Sequence, residues 1–235
     1  MSRLVATMGH DGRLQARNHV YVIVGIATLL LAVPLRVLLT AEQVRFFMPL
    51  LALSGVGLTA FFLVSVLMLL ERGEGTLDAV AVSPLRPSEY LASKIATVTA
   101  LALIEGVAIA GIAFAGAFSL PWLALAVVMR AAFVAAVGIA VAVRYQSITR
   151  FLFPAVGLTV LFDGPVLFYL ELWPSSIFYL WPTLPPLLLA KAAFVSTEPL
   201  ELVYACGFGA ASVAAAWWWA QRSIERFVVR GEPLS

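Results

Sequence analysis

The sequence predicts an all-α membrane protein with six transmembrane helices, and three observations support this fold class. Of its 235 residues, 62% are hydrophobic and only 12% are charged, whereas soluble domains carry about 25% charged residues. A soluble fold of this length buries only about 70–75% of the surface that its unfolded chain exposes, so lipid must cover part of the apolar surface. The apolar runs also do not alternate in polarity, as the strands of a membrane barrel would.

Six apolar runs are long enough to cross a bilayer as helices, because a span needs about 20 residues at a rise of about 1.5 Å each. Backbone polar groups in lipid must be satisfied within the segment, which favours helices. The whole chain, 1–235, is therefore predicted to be a single transmembrane domain. The predicted spans are residues 20–39, 46–70, 95–118, 122–143, 151–170 and 202–220.

Residues 1–19 predict an amphipathic helix that lies at the membrane surface. Leu4, Val5 and Met8 fall on one face of this helix. Arg13 and Arg17, together with Arg3, are available to lipid phosphates. A simple cytoplasmic tail is the alternative.

Residues 172–201, before the last span, form an apolar region interrupted by Pro182, Pro185 and Pro186. Proline removes a backbone donor and disrupts a helix interior. We therefore expect a pair of short re-entrant or interfacial helices on the external side. A full span kinked by its prolines is the alternative.

The positions of lysine and arginine predict the orientation, because cytoplasmic loops carry an excess of these residues. Arg36, Arg45 and Lys191 lie on one side of the predicted spans. The other side holds most of the remaining basic residues, including those of the N-terminal segment and of the tail, 221–235. The sequence thus predicts a multi-pass protein of the cell (plasma) membrane with both termini in the cytoplasm.

The cytoplasmic segment 71–94 contains signals for a short helix of its own. Gly75 permits a sharp turn, and Thr76 can cap a helix that Pro84 then terminates. Leu77 and Val80 fall on one face of this helix. We expect the face to be a ridge that docks a partner, and a mere connector is the alternative.

A second helix is expected to begin at Ser88, which can cap it, and to continue through Lys94 into the third span. The segment as a whole resembles the coupling-helix loop of ABC-2-type transporter permeases. The resemblance rests on Glu-Arg-Gly-Glu-Gly-Thr-Leu at 71–77, Ser-Pro-Leu at 83–85, Glu-Tyr at 89–90 and Lys94. Met-Ser-Arg-Leu-Val-Ala-Thr at 1–7 and Arg-Leu-Gln-Ala-Arg-Asn at 13–18 are similar to actinobacterial fluoroquinolone-export permease subunits.

The resemblance implies the permease subunit of an ATP-driven exporter of drugs or other amphiphilic small molecules. A separate cytoplasmic ATP-binding subunit would bind ATP and Mg, and a second permease copy or paralogue would complete the transporter. No cofactor is expected in this chain. The residues expected to couple it to the ATPase are Glu71, Gly75, Thr76, Leu77, Val80, Pro84 and Glu89.

The chain lacks the motifs of an enzyme. A phosphate-binding loop needs a Gly-Lys pair, but Lys94 and Lys191 follow Ser93 and Ala190. Both histidines lie in the N-terminal segment, which argues against a histidine-based metal site. A net charge of +2 is too small to indicate nucleic-acid binding. We therefore predict neither catalytic nor metal-ligating residues.

Three ionisable residues, Glu105, Arg130 and Asp163, fall within predicted spans. Each costs about 2.5–3.5 kcal/mol at a helix centre on insertion scales. All three lie near the middle of the membrane, so we expect Arg130 to pair with Glu105 or Asp163. The pair either lines the substrate path or fixes the packing of the helices. Asp163-Gly164-Pro165 should also break the fifth span and free backbone carbonyls there.

Two other classes of function remain as alternatives. An ion-coupled secondary transporter would use Glu105 and Asp163 to carry its coupling ion. A membrane-embedded enzyme is disfavoured, because few nucleophile or metal constellations are present and the cytoplasmic loops are short.

Overall fold

The computed structural model describes residues 3–75, 77, 86–114 and 116–229, and these residues form helices joined by turns. Six of the helices are long and apolar enough to cross a membrane, which confirms the predicted all-α fold with six spans. The elements are α1 (Arg3–Arg17), α2 (Val20–Leu38), α3 (Ala41–Gly73), α4 (Pro87–Ala113), α5 (Leu120–Ala142), α6 (Ile148–Phe162), α7 (Val166–Tyr169), a 3-10 helix (Ser176–Leu180), α8 (Leu184–Phe194) and α9 (Pro199–Ile224), which ends in a π-helical turn (Glu225–Val229).

Helix α5 lies at the centre of the bundle and packs against α3, α4, α8 and α9. Its buried side chains are mostly alanine and valine, which allow neighbouring helices to approach closely. Helix α2 is peripheral: it packs mainly on α4 and leaves much of its apolar surface exposed. The bundle thus has a dense core around α5 and a loosely covered flank at α2.

The end of α1 and the C-terminal end of the described chain lie at the same end of the bundle, where Arg72 at the end of α3 donates to the carbonyl of Val143 at the end of α5. Arg17, at the end of α1, forms an ion pair with Glu74 beyond the end of α3. Arg144, beyond the end of α5, lies 5.6 Å from the ring centroid of Phe227 near the chain's end. We call this end the N-terminal end of the bundle and the other the opposite end.

Helix α1 forms as predicted, and its buried face carries polar as well as apolar side chains. Asp11, Leu14 and Gln15 are buried because α1 packs against α4. Of the predicted apolar face, Met8 is only half-buried, and nothing is described of the side chains of Leu4 and Val5. The last helix also continues beyond the predicted end of its span at 220, through Ile224.

Helix α4 begins earlier than Ser88, the residue predicted to cap it. The helix starts at Pro87, a favourable residue at the first helical position. The Glu89 carboxylate accepts a hydrogen bond from the backbone N–H of Arg86 at 3.0 Å. Arg86 is therefore the cap residue, and Ser88 lies inside the first turn.

The region before the last span contains two short helices, as predicted. Helix α8 has 11 residues, too few to cross a bilayer. The hydroxyl of Thr183, just before α8, donates to the Phe162 carbonyl deep in the bundle. Near the far end of α8, the Ala193 carbonyl accepts from the Ser119 N–H at the opposite end of the bundle. The segment is therefore re-entrant, and its buried α8 is part of the core.

Candidate functional site

The loop between α3 and α4, residues 74–86, carries most of the residues that the sequence assigned to ATPase coupling. Gly75 has a φ of 72°, a left-handed conformation that glycine adopts at no steric cost. The chain therefore turns sharply out of α3 where the sequence predicted it. Thr76, Val80 and Pro84 lie outside the described residues.

Leu77 is the one residue of the predicted docking ridge that the structure describes. Its side chain is only 2% exposed and packs in the hydrophobic core of this chain. In the isolated chain Leu77 thus packs against the helical bundle, and its part in docking a partner stays a prediction.

A buried polar cluster joins the two ends of this loop to α1. Lys94 on α4 forms ion pairs with Glu71 on α3 and, at 2.6 Å, with Asp11 on α1. The Tyr90 hydroxyl donates to Glu71 at 2.6 Å, and the Ser93 hydroxyl donates to Asp11. We call these five residues the Lys94 cluster. Its three charged members are at most 6% exposed.

The Lys94 cluster holds α1, α3 and α4 together, because removing one partner of a buried ion pair leaves an uncompensated charge. The neighbouring Arg72 donates to the carbonyls of Val143 and Tyr145 at 2.8 and 2.9 Å, which attaches the end of α3 to the end of α5.

The sequence did not predict that Asp11 and Lys94 would form a buried ion pair. The available signal was a lone acid in an amphipathic helix and a lone lysine at the start of an apolar run.

A second polar site lies in the middle of the bundle. The Arg130 guanidinium is 4% exposed and forms an ion pair with Asp163 at 2.7 Å. It also donates to the Phe162 carbonyl at 3.1 Å, and the Ser54 hydroxyl donates to Asp163 at 3.2 Å. Of the two partners predicted for Arg130, Asp163 is thus the one that it contacts.

The break in the fifth span creates this site. Helix α6 ends at Phe162 and α7 begins at Val166, on either side of Asp163-Gly164-Pro165. The Phe162 carbonyl, released from helical hydrogen bonding, accepts from Arg130 and Thr183 instead. A cavity of about 20 Å³ lies beside the ion pair, which is room for about one water molecule.

Glu105 lies apart from the Arg130–Asp163 pair. Its carboxylate accepts a hydrogen bond from the Thr59 hydroxyl on α3 at 3.0 Å. The second carboxylate oxygen, Oε2, is buried and has no hydrogen-bond partner among the described residues. The three intramembrane charges therefore form two separate sites: an ion pair between α5 and the α6–α7 break, and a lone carboxylate between α3 and α4.

A model of the fluoroquinolones export permease protein family matches residues 2–232 of the chain. The chain belongs to this family. It is 31% identical to fluoroquinolones export permease proteins from two strains of Mycobacterium tuberculosis, and each match covers 98% of both chains. No solved structure matches the chain.

The permease also has a charged cavity at the opposite end of the bundle. It has a volume of about 660 Å³ and lies between the start of α3 and the re-entrant region. Its charged lining residues are Glu42, Arg45, Glu171, Lys191 and Glu201. Within the part of the permease that the structure describes, no group of His, Cys, Asp or Glu is arranged to hold a metal ion.

Proposed function

We propose that this permease is the membrane subunit of an ATP-driven exporter and that a separate cytoplasmic subunit binds ATP and Mg and hydrolyses the nucleotide. Two permease chains, identical or paralogous, would form the transport path. The Lys94 cluster carries this proposal, because it fastens both ends of the α3–α4 loop to the bundle. A force applied to that loop would therefore act on α1, α3 and α4 together.

Helices α3 and α4 connect the loop to the middle of the membrane. Helix α3 carries Ser54 and Thr59, which contact the two intramembrane acids. Helix α4 carries Glu105 itself. Because an α-helix rises about 1.5 Å per residue and is stiff, movement of the Lys94 cluster would displace the polar sites, which lie 11 to 17 residues away along α3 and α4. This is the physical route by which hydrolysis in a partner would change the transport path.

The expected substrates are amphiphilic drugs. The relatives are named for fluoroquinolone export, and we propose fluoroquinolones as substrates of this permease as well. We propose that the N-terminal end of the bundle lies in the cytoplasm, and the excess of lysine and arginine at that end supports this orientation. In this orientation the charged cavity at the opposite end faces outward, and the permease lies in the cell membrane.

The proposal is tested in proteoliposomes that contain the permease and its partner ATPase, with fluoroquinolone accumulation as the readout. We expect transport to require ATP and to be lost when the partner's phosphate-binding lysine is replaced. The permease without its partner should hydrolyse no ATP. Transport driven by a proton gradient, with neither ATP nor partner, would instead establish the secondary carrier that the unpaired Glu105 favours.

A further inference from the structure

Glu105 differs from the other buried charged groups of the described chain in having no counter-ion. Lys94 has Asp11 and Glu71, and Arg130 has Asp163. Glu105 is only 3% exposed, and no ion pair of the described residues includes it. Its one hydrogen bond, from Thr59, satisfies one oxygen and leaves Oε2 without a partner.

The burial of the Glu105 carboxylate is energetically unfavourable unless a further group neutralises it. Burying an ionised carboxylate without a cationic partner costs several kcal/mol or more. Intramembrane acids are accordingly rare and usually mark the path of a substrate or an ion. The Glu105 carboxylate is therefore neutralised either by a proton or by a bound cation, and only a bound cation would make use of the space beside it.

An apolar cavity of about 530 Å³ begins at Glu105 and runs between α2 and α4. Drug-sized ligands occupy sites of about 300–1,000 Å³ that are mostly apolar with a few polar groups. Among the described residues that line the cavity, the side chains with oxygen atoms other than Glu105 are Tyr21 and Thr28. The Thr28 hydroxyl already donates to the Val24 carbonyl. The cavity thus offers one carboxylate within apolar walls.

The cavity opens on the lipid-facing flank of the bundle. Ile26 and Leu29 on α2, and Ile104 on α4, form its margin and are 54%, 52% and 68% exposed. Apolar side chains with this exposure lie against acyl chains in a bilayer. A hydrophobic molecule dissolved in the membrane can therefore reach Glu105 without crossing water.

We propose that the cavity between α2 and α4 is a binding site for hydrophobic organic cations, with the cationic group on the Glu105 carboxylate and the apolar body between the helices. The assignment of this cavity as a substrate site rests on the proposed export function. It narrows the substrates to lipophilic cations and to zwitterions with an exposed ammonium group. The Arg130–Asp163 pair takes no part in this site, because each of its members already neutralises the other.

The test compares two probes of the same shape and opposite charge, tetraphenylphosphonium and tetraphenylborate. Equilibrium dialysis measures their binding to the purified permease in lipid nanodiscs, without ATP or a partner. We expect Glu105→Gln, which keeps the hydrogen bond from Thr59, to weaken tetraphenylphosphonium binding by about tenfold or more. Tetraphenylborate should not bind more weakly to this variant. Glu198→Gln, which removes an exposed carboxylate, is the matched control and should leave both affinities unchanged.

A second variant tests the location of the site. Ala108→Phe adds a ring to the wall of the cavity without changing Glu105, and we expect it to weaken tetraphenylphosphonium binding as well. Unchanged tetraphenylphosphonium affinity in both variants overturns the proposal, as does equal affinity of the wild type for the two probes. The binding experiment contains no ATPase. A failed ATP-dependent transport assay would therefore contradict the proposed function but would not affect the measured binding of tetraphenylphosphonium.

Discussion

Gly57 on α3 lies directly against the guanidinium of Arg130 on α5. A Cβ atom at Gly57 would lie 2.7 Å from Arg130 Nε and 3.0 Å from Nη2. Real Cβ atoms do not approach other heavy atoms this closely, so the absence of a side chain at this position is what admits the arginine. The close approach explains how a cation fits between two packed helices at this depth.

Gly57→Ala is expected to displace the Arg130 guanidinium from Asp163 and to lower the stability of the permease by about 1–3 kcal/mol, as overpacking does in other cores. Thermal unfolding in detergent measures the change. Gly207→Ala is the matched control, because a Cβ there meets nothing within 4 Å. This control should be neutral or slightly stabilising, since alanine favours helix more than glycine does. Equal melting temperatures for the two variants would contradict the packing role of Gly57.

The small cavity beside Arg130 and Asp163 favours a packing role for this ion pair over a place in the substrate path. We expect Asp163→Asn alone to be strongly destabilising, because it leaves the Arg130 charge buried without a counter-ion. Arg130→Met combined with Asp163→Asn removes both charges and should recover much of the lost stability. The double variant should also retain fluoroquinolone export. Recovered folding without export would instead assign the pair to the substrate path.

The two ion pairs at the N-terminal end should differ greatly in their contribution to stability. Lys94→Met leaves Asp11 buried without the cation that it contacts, which costs about 3–5 kcal/mol in comparable sites. Arg17→Gln removes the partner of Glu74 in an exposed pair, where the expected loss is about 0–1 kcal/mol. Melting temperatures of the two variants in one detergent give the comparison. A loss at Arg17 as large as that at Lys94 would refute the assignment of the cluster as the joint between α1, α3 and α4.

The buried position of Leu77 predicts a stability effect that needs no partner. Leu77→Ala should destabilise the isolated permease by about 2–5 kcal/mol, as expected for a buried leucine. Leu172→Ala, at a leucine that is 69% exposed, is the matched control and should have little effect. If Leu77→Ala left the isolated permease unchanged and impaired only its complex with the ATPase, the side chain would belong to the docking surface after all.

The proposed orientation can be tested by cysteine labelling, because Cys206 is the only native cysteine. In a Cys206→Ala background, Leu172→Cys at the opposite end should react with a membrane-impermeant maleimide on intact cells. Arg17→Cys, whose side chain is also exposed, should react only after the membrane is opened. Labelling of Arg17→Cys on intact cells would reverse the assignment of both termini to the cytoplasm.

Features that depend on local sequence could be predicted without the structure. The six spans follow from the length of the apolar runs, and the break in the fifth span follows from Asp163-Gly164-Pro165. The turn at Gly75 is equally local. Helix starts were less accurate at α4, because Arg86 and Glu89 cap that helix in place of the expected Ser88.

Contacts between residues distant in sequence were not predictable in the same way. Asp11 and Lys94 are 83 residues apart, and Thr59 and Glu105 are 46 apart. The sequence identifies each of these as a polar residue in apolar surroundings but cannot say which partner it meets. Leu77 shows the same limit, because an apolar residue in a loop can equally cover a core or dock a partner.

The sequence by itself determined that this chain is a helical membrane protein, where its spans lie and which residues bring charge into the membrane. These properties follow because exposing polar backbone groups or charges to lipid is unfavourable. Each segment must therefore satisfy its own backbone hydrogen bonds within its own length. The tertiary structure decided how the charges are distributed: Lys94 with two acids, Arg130 with Asp163, and Glu105 left with a hydroxyl. Pairing depends on the rotation and depth of each helix against its neighbours, and these are set only when the small residues of α5 and Gly57 allow the bundle to close.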